Sequence, residues 1–581
     1  MRIALAQVNP TVGDLKGNAG MVVSRSREAH AAGAALAIFP ELVISGYPPE
    51  DLLLKDYFLA DCLAALSDVA GAVQDIVALV GVPLAEDGKV FNATAVLAGG
   101  AVAGWYRKMC LPNYAVFDEK RYFAPGGAVT VLDMGETRLG LTICEDIWEE
   151  HGPGEMAAAG GGASVIVNQS MSPYHVGKGH EREAMLSLRA LAANAYVCYA
   201  NGVGGQDELV FDGHSVVFDP RGRLIARAAQ FAEELLVVDI EPAVKKARQS
   251  ARGSRELEFI RLDHAGVARY GSERVREGEA PARVAARSDC VPRVCDLLST
   301  EGEVYAALCL GVGDYARKNG FKQVVLGISG GIDSALTACI AADALGHERV
   351  NAISMPSRYS SPGTRSDARE TAERLGVGFY EIPIETVYGA YLECLEPYLR
   401  GGDAGVTEQN IQARIRGNLL MALSNKFGWL VLTTGNKSET AVGYATLYGD
   451  MAGGFAVLKD VPKTLVYRLA EYRNCIGPDG GPIPESTVAR APTAELAAGQ
   501  TDQDTLPPYD VLDRVIEAYV VRDDSIEEIV ALGIDRAVVQ RVVAMIDGNE
   551  YKRRQAAPGV RITPKAFGKD RRLPITNRYR G

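Results

Sequence analysis

Apolar residues in the N-terminal part of the chain fall in short runs that are separated by polar and glycine-containing segments. Runs of this kind predict buried strands, and the longer stretches between some of them predict helices. The predicted strands are Ile3–Val8, Ala35–Phe39, Ile76–Val80, Leu139–Ile143, Ser164–Asn168 and Ala195–Ala200. The predicted helices include Asn18–Ala32 and Tyr57–Val73. Strands that alternate with helices indicate a layered α/β domain, which we place at residues 1–241.

The pattern changes after this domain. Residues 242–290 are charged, rich in arginine and poor in long apolar runs. We interpret them as a linker between two domains, and one or two solvated helices at the edge of the first domain would fit the same composition.

A second α/β pattern occupies residues 291–581. An amphipathic helix at Glu303–Asn319 precedes a strand at Gln323–Ile328, and further strands are predicted at Val350–Met355 and Trp429–Thr433. Open α/β sheets bind ligands at the carboxyl ends of their strands, so the polar residues that follow these strands are candidates for a site. The two halves share no repeat.

Composition narrows the class of protein. A chain of 581 residues exceeds the size at which single cores stop growing, about 250–300 residues, so two or more domains are expected. The net charge of −12 argues against a general nucleic-acid binder, because phosphate contacts need clustered Lys and Arg. The apolar N-terminal run is too short for a signal peptide, and no membrane span is expected. Ten cysteines without a paired framework fit a reduced, cytoplasmic enzyme.

A phosphate-binding loop is predicted at Ser329–Ser334, which reads Ser-Gly-Gly-Ile-Asp-Ser between a strand and a helix. Its two glycines let the backbone approach an anion closely, and the following helix directs its positive end at the same anion. The chain contains no G-x-x-x-x-G-K-[ST] motif, so this loop is not of the Walker type.

The loop resembles the pyrophosphate loop of the N-type ATP pyrophosphatases. That resemblance implies that ATP is split between its α and β phosphates, that AMP is attached to a substrate oxygen, and that a nitrogen or sulfur nucleophile then displaces AMP. It also implies that Asp333 holds Mg²⁺ on the pyrophosphate. A second carboxylate is expected nearby, and Glu439, after the strand at Trp429–Thr433, is the candidate.

Three segments of the first domain carry a second kind of chemistry. "LGLTICEDIWEE" places Cys144 at the end of a strand, before a helix that opens with acidic residues, where a thiolate is favoured. "IFPELVISG" contains Glu41, and "WYRKMCLPNYAVFDEKRYF" contains Lys108 and Glu119. Together they resemble the Glu–Lys–Cys triad of the nitrilase, or carbon–nitrogen hydrolase, superfamily.

The nitrilase resemblance implies an α-β-β-α sandwich and a set of catalytic roles. Cys144 would be the nucleophile and Glu41 the general base. Lys108 would support the thiolate and the tetrahedral oxyanion, and Glu119 matches the additional carboxylate of the superfamily.

The order of the two halves resembles the glutamine-dependent NAD synthetases. The specific marks are "TEQNIQARIRGNLLMALSN", "LTTGNKSETAVGYATLYGDMAGGFAVLKDVPKT", "AELAAGQTDQDTLPPYDVLD" and "NEYKRRQAAPG". The resemblance implies a nitrilase-like glutaminase domain fused to a Rossmann-like, parallel-sheet ATP pyrophosphatase domain. Ammonia released from glutamine would amidate adenylated deamido-NAD and give NAD, AMP, pyrophosphate and glutamate. Because free ammonia is mostly protonated at neutral pH, a protected tunnel is expected.

The same resemblance assigns binding residues and an assembly state. Glutamine would contact Tyr114, Ser172 and Lys178; ATP would contact Gly327, Ile328, Ser329, Gly330, Gly331, Ile332, Asp333, Ser334, Met355 and Thr434; deamido-NAD would contact Asn410, Glu439, Lys463 and Lys552; and Mg²⁺ would bind Asp333 and Glu439. A homo-oligomer is expected, with an octamer as the favoured size. Arg490 and Ala498 depart from the family pattern, which has Lys and Pro at these positions in many members.

Two other interpretations stay open at this point. The nitrilase-like domain could be idle, so that the chain would be an ammonia-dependent synthetase with an oligomerisation module. The chain could also be a sulfur or amide transferase that acts on RNA, which its acidic balance disfavours.

Overall fold

The structure of the chain is a computed structural model that describes residues 1–244, 256–262, 268–269, 293–399, 405–477 and 480–579. The chain divides into two compact units: Met1–Gln206 with Phe211–Leu298, and Asp207–Val210 with Ser299–Gly581. None of the helices in these described ranges is both long enough and apolar enough to span a bilayer.

The sequence up to Leu298 forms mostly strands. In chain order these are β1 (Arg2–Gln7), β2 (Leu36–Ile38), β3 (Val77–Glu86), β4 (Lys89–Ala98), β5 (Ala101–Arg107), β6 (Ala128–Asp133), β7 (Arg138–Ile143), β8 (Val165–Ser170), β9 (Tyr196–Asn201), β10 (Val203–Gln206), β11 (Leu209–Asp212), β12 (Val216–Phe218), β13 (Leu224–Arg227), β14 (Glu234–Asp239), β15 (Glu256–Leu262) and β16 (Ala268–Arg269). The helices are α1 (Leu15–Ala31), α2 (Asp56–Ala72), α3 (Pro153–Ala159) and α4 (Lys178–Ala193).

Most of these strands form two large sheets with a helical layer on each outer face, and β10 and β11 form a separate two-stranded sheet. The six-stranded sheet has the order β14-β1-β2-β3-β4-β5, and the eight-stranded sheet has the order β13-β12-β9-β8-β7-β6-β15-β16. Alternate residues of β1 show the layering: Ile3 and Leu5 belong to the core between the sheets, whereas Ala4 and Ala6 belong to the core shared with α1 and α2. Leu186 of α4 packs against the outer face of the eight-stranded sheet. The predicted α-β-β-α sandwich is therefore present.

Part of the segment that we predicted as a linker belongs to a sheet. Glu256–Leu262 forms β15, which pairs with β6 in parallel register. Its sequence, ELEFIRL, places charged side chains between apolar ones, and Ile260 is buried in the core between the sheets. The charged residues of this strand are exposed, and this is why the composition resembled that of a linker. The remaining parts of the prediction for residues 242–290 lie largely outside the described residues.

The second unit has one sheet and many helices. The strands are β17 (Val324–Gly327), β18 (Val350–Ser354), β19 (Gly378–Glu381), β20 (Leu430–Thr433) and β21 (Phe455–Ala456). The helices are α5 (Thr300–Lys318), α6 (Ile332–Leu345), α7 (Pro362–Leu375), α8 (Glu385–Leu395), α9 (Val406–Phe427), α10 (Lys437–Val442), α11 (Lys463–Ile476), α12 (Glu485–Ala489), α13 (Tyr509–Ile516), α14 (Ile526–Ala531), α15 (Arg536–Gly548) and α16 (Glu550–Arg553).

All strands of this five-stranded sheet run parallel, in the order β19-β18-β17-β20-β21. The chain leaves β17 towards β18 and β19 on one side and returns with β20 on the other side. The carboxyl ends of β17 and β20 therefore flank the point where the strand order reverses, which is where such sheets bind ligands. A separate apolar cluster joins α10 to α13 and α15, and it supports the segment that follows β20.

A buried ion pair in the first unit gives a test of this fold. Both terminal nitrogens of Arg182 donate to Asp212, each at 3.0 Å, and neither side chain is exposed. Replacing Asp212 with Ala leaves a buried guanidinium without its counter-ion, so we expect a loss of about 3–5 kcal/mol in unfolding free energy. The double variant Arg182→Met with Asp212→Leu should recover most of this loss.

The measurement is urea unfolding followed by tryptophan fluorescence in a Trp429→Phe background. Only Trp105 and Trp148 then report, and both lie in the first unit. The matched control is Glu28→Ala, which breaks the exposed Arg25–Glu28 pair and should change the free energy by less than about 1 kcal/mol. Equal effects of Asp212→Ala and Glu28→Ala would contradict the buried-pair argument.

Candidate functional site

A buried lysine lies between two carboxylates in the first unit. Lys108, just after β5, donates from Nζ to Glu41 at 2.7 Å and to Glu119 at 2.8 Å. Glu41 follows β2, and Glu119 begins a short 3₁₀ helix at Glu119–Arg121. Three segments that are distant in sequence thus bring one lysine and two carboxyl groups together, and all three side chains are buried.

Two residues that the sequence analysis did not assign hold these carboxylates. Asn92 donates to Oε1 of Glu41 at 2.7 Å, and Tyr47 donates to Oε1 of Glu119 at 3.1 Å. The backbone N–H of Met171 reaches the other oxygen of Glu41 at 3.1 Å. Glu41 therefore has little freedom to rotate, as an oriented base requires.

Burial and the neighbouring charges shift the pKa values of Glu119 and Lys108. Burial raises the pKa of Glu119 to about 7, with Lys108 opposing this rise and Glu41 adding to it. Burial alone would lower the pKa of Lys108, but the two carboxylates outweigh it and raise that pKa well above its usual value. Lys108 therefore stays an ammonium group at neutral pH.

Cys144 lies on a strained turn at the end of β7. Its φ of +43° is unusual for a residue with a side chain, and strain of this kind gathers at functional sites. The helix predicted after it is only the four-residue 3₁₀ helix Cys144–Ile147. Asp146 fixes this turn, because its carboxylate accepts the backbone N–H groups of Ile143 at 2.9 Å and Cys110 at 2.8 Å. It thereby ties the Cys144 turn to the segment that follows Lys108.

The environment of the thiol favours its protonated form. Burial and the charge of Glu41 raise the pKa of Cys144 well above its usual value, with Lys108 opposing them. The thiol must lose its proton to a base before it can attack, and Glu41 is the carboxylate whose charge raises the pKa of the thiol most.

Two of the three predicted glutamine-binding residues, Tyr114 and Lys178, lie near this turn, and Ser172 follows β8. The Tyr114 hydroxyl donates to Glu145 at 3.0 Å, next to Cys144. The N–H of Ser172 donates to the Asn201 side chain at 2.9 Å. Lys178 begins α4 with its Nζ 4.2 Å from the centre of the Trp148 ring. Burial raises the pKa of Tyr114 and lowers that of Lys178, and the charge of a Cys144 thiolate acts on both.

The predicted phosphate loop lies between β17 and α6 in the second unit. Gly327 ends β17, Ile328 donates its N–H to Ile353 at 3.0 Å, and Ile332 begins α6. Within the loop, the N–H of Gly331 donates to Oγ of Ser329 at 3.2 Å. Oγ of Ser334 donates to the carbonyl of Gly331 at 2.9 Å.

A second lysine–carboxylate cluster lies beside this loop. Lys463, the first residue of α11, forms an ion pair with Asp333 of α6 and lies 3.9 Å from Glu439 of α10. Burial and the charge of Asp333 raise the pKa of Glu439 to about 8, with Lys463 opposing them. Asn436 caps α10 and also donates to Asp333 at 3.0 Å, so one side chain links the two carboxylate-bearing helices.

The other predicted residues of this unit form two groups. Met355, after β18, and Thr434, after β20, lie at the carboxyl edge of the sheet with the loop. Asn410 accepts from the Thr446 hydroxyl at 2.8 Å, and Lys552 donates to the carbonyls of Gly443 at 2.7 Å and Ala445 at 2.8 Å. Asn410 and Lys552 thus contact the segment after α10 rather than the Lys463 cluster.

Two further residues were not assigned from the sequence. Asp502 accepts from the Tyr509 hydroxyl at 2.8 Å, and its charge acts on Glu439 and Lys463. Arg416 donates to the carbonyl of Met355 at 3.0 Å, and burial lowers its pKa to about 10. Both lie in motifs that we quoted, but nothing in their spacing distinguishes them.

Comparison with known proteins places the two halves of the chain in known families. Residues 2–249 match the carbon–nitrogen hydrolase family, and residues 304–556 match the NAD synthase family. A glutamine-dependent NAD(+) synthetase of Thermotoga maritima is 47% identical over 100% of this chain and 99% of its own length. One of Aquifex aeolicus is 46% identical over 100% of both. The chain belongs to the glutamine-dependent NAD(+) synthetase family.

Solved structures support the same placement. The glutamine-dependent NAD(+) synthetase of Acinetobacter baumannii, in complex with ADP, is 40% identical with a TM-score of 0.73, over 99% of this chain and 98% of its own. That of Cytophaga hutchinsonii has a TM-score of 0.80 at 22% identity, over 99% and 98% of the two chains, and shows the fold alone. The predicted family and fold class are confirmed, and the residue assignments stay predictions.

The shifted carboxyl of Glu119 gives a test of the first site in this synthetase. Its folded pKa of about 7 lies above its ordinary value of 4.5, so the folded chain holds a proton that the unfolded chain has lost. Stability contributed by this group is full below the unfolded pKa and is lost as pH rises through the folded pKa. Glu119→Gln has no such proton to lose.

We therefore expect the urea midpoint of the first unit to fall less steeply in Glu119→Gln than in the wild type between about pH 4.5 and about pH 7. Glu86→Gln, at an exposed glutamate paired with Arg107, is the control and should keep the wild-type slope. Identical slopes in all three proteins would show that Glu119 does not titrate in this range.

Proposed function

We propose that this chain is a glutamine-hydrolysing NAD⁺ synthetase. The observation that carries the proposal is that one chain contains both an oriented carboxylate–lysine–thiol group and a phosphate loop beside paired carboxylates. The first is suited to releasing ammonia from an amide, and the second to activating a carboxylate with ATP. An idle first domain would have no reason to keep Lys108 and Glu41 buried and paired.

The first site would hydrolyse glutamine through a thioester. Glu41 would take the proton of Cys144, and the thiolate would attack the carboxamide carbon. Lys108 would stabilise the oxyanion of the tetrahedral intermediate. Protonated by Glu41, the amide nitrogen would leave as ammonia, and water would then cleave the thioester to glutamate. Tyr114, Ser172 and Lys178 would hold the rest of glutamine.

The second site would join AMP to the nicotinate carboxylate of deamido-NAD. The carboxylate oxygen would attack the α phosphorus of ATP, and pyrophosphate would leave. The loop from Gly327 to Ser334 would hold the pyrophosphate through its backbone N–H groups and the start of α6. Ammonia would then attack the acyl carbon and displace AMP. Met355 and Thr434 would contact ATP, and Asn410, Glu439, Lys463 and Lys552 would contact deamido-NAD.

Asp333 and Glu439 fit a magnesium ion that is shared with phosphate. Both carboxylates lie near Nζ of Lys463, and burial together with the charge of Asp333 raises the pKa of Glu439; these observations support the binding of a cation there. Within the described ranges, no cluster of three or more His, Cys, Asp or Glu residues could hold a metal. Mg²⁺ commonly binds one or two carboxylates and completes its ligands with phosphates and water. Bound there, it would neutralise the charge of the departing pyrophosphate.

Two further features of the proposal concern the assembled enzyme. Ammonia would pass between the sites through a protected route, because ammonium in bulk water is not a nucleophile. The protein would act in the cytoplasm as a homo-oligomer, with an octamer as the favoured size. Native mass spectrometry tests the assembly, and a monomer at micromolar concentration would refute it.

Replacing Cys144 with Ala tests the proposed division of work. We expect NAD formation from glutamine to fall by at least about a thousandfold, because the covalent route is lost. NAD formation from ammonium chloride should stay within about twofold of the wild type. Cys198→Ala, at a buried cysteine of β9, is the matched control and should keep both activities. Unchanged glutamine-driven synthesis in Cys144→Ala would refute the thiol mechanism.

The metal requirement is tested with ammonium as the nitrogen donor. Chelation of Mg²⁺ should stop NAD formation, and Asp333→Asn should raise the Mg²⁺ concentration for half-maximal rate by about tenfold or more, since one charged ligand is lost. Asp343→Asn, on the same helix but paired with Arg473, is the control and should respond to Mg²⁺ as the wild type does. A wild-type Mg²⁺ dependence in Asp333→Asn would exclude Asp333 as a ligand.

A further inference from the structure

The arginine that departs from the family pattern contacts the phosphate loop directly. One terminal nitrogen of Arg490 donates to the carbonyl of Gly330 at 3.3 Å. The other donates to Asp367 of α7 at 2.6 Å. Arg490 follows α12, so a residue from well beyond the sheet bridges the loop and a neighbouring helix.

The peptide that Arg490 contacts lies between two glycines, and its N–H end is held by a single hydrogen bond to Ser329. Gly330 has a φ of +86°, and a Cβ there would lie 2.0 Å from the carbonyl oxygen of Thr364, so no larger residue fits. Peptide groups between glycines reorient at little steric cost. Because a trans peptide is planar, its C=O and N–H point in opposite directions. Because Arg490 holds the Gly330 carbonyl on one side of this peptide, the Gly331 N–H points to the opposite side, where it donates to Oγ of Ser329 at 3.2 Å.

The guanidinium group is itself held in place. Asp367 is buried, and its second oxygen accepts from the Ser486 hydroxyl at 2.8 Å, whereas the Arg490 side chain is 27% exposed. A planar guanidinium can satisfy a carboxylate and a carbonyl at once in fixed directions, which a single ammonium group does less well. Glu495 also links the segment after Arg490 to α7, because its carboxylate accepts a hydrogen bond from the Thr364 hydroxyl at 2.9 Å.

We propose that Arg490 is a positioning residue for the phosphate loop: anchored by Asp367, it fixes the Gly330–Gly331 peptide so that the Gly331 N–H faces the bound pyrophosphate. The inference rests on the proposed function of the loop and adds a residue outside the loop motif. Arg490 acts through the backbone, so its loss should weaken the binding of phosphates and leave the binding of the other substrate unchanged.

The test uses the full-length enzyme with ammonium as the nitrogen donor. In Arg490→Ala we expect the KM for ATP and the inhibition constant of pyrophosphate each to rise by about tenfold or more, the effect of losing one charged hydrogen bond. The KM for deamido-NAD should stay within about twofold. In Arg490→Lys both constants should lie between those of the wild type and Arg490→Ala. Added guanidinium ion should partly restore the wild-type constants in Arg490→Ala. Arg365→Ala, on the same α7 but paired with Glu381, is the control and should match the wild type.

Failure of this inference can be distinguished from failure of the proposed function. A folded Arg490→Ala with the wild-type inhibition constant for pyrophosphate overturns the inference. Equal rises in the KM for ATP and the KM for deamido-NAD, without rescue by guanidinium ion, indicate general destabilisation and also overturn the inference. If Arg490→Ala does not fold, Asp367→Asn must show the same rise, and a wild-type constant there overturns the inference. A wild-type enzyme that makes no AMP and pyrophosphate would instead refute the proposed function.

Discussion

Burial of a lysine ammonium against two carboxylates organises both sites. Lys108 lies between Glu41 and Glu119 in the first unit, and Lys463 lies against Asp333 and near Glu439 in the second. Burying such charges is costly unless each is paired, so the surrounding fold must hold every partner in place. That constraint explains why tyrosine and asparagine side chains donate hydrogen bonds to the carboxylates around the two lysines.

The two clusters have different chemical consequences. In the proposed function, the cation of the first cluster lies beside a protonated thiol, so that one carboxylate would act as the base and the lysine would stabilise developing negative charge. In the second cluster, two carboxylates that repel each other would gain from a divalent cation, and the adjoining loop would offer backbone donors to phosphate. The same kind of ion cluster would thus support acyl transfer in one unit and adenylation in the other.

The pattern of the chain predicts much of the fold for clear reasons. Long apolar runs predicted strands, and most ends of the predicted strands lie within one or two residues of the observed ends, as at β1 and β7. The short strands β10 to β13 lack such runs, and β15 was not predicted because exposed charged residues interrupt its apolar ones. These elements owe their conformation to pairing with neighbours, which a single segment does not reveal.

The sites show the same division. Motif residues such as Cys144, Lys108 and Asp333 could be found because their chemistry imposes a recognisable spacing. No role could be assigned from the sequence to Asn92, Asp146 or Arg490, because each acts through contacts with residues distant in sequence. Their importance appears only once the sheets bring those partners together.

The most direct measurement follows the phosphates of ATP during synthesis. With ATP labelled separately at the α and γ positions, the α label should appear in AMP and the γ label in pyrophosphate, each in step with NAD. Recovery of the α label in ADP and the γ label in orthophosphate would contradict the account, because the loop would then support transfer of the terminal phosphoryl group.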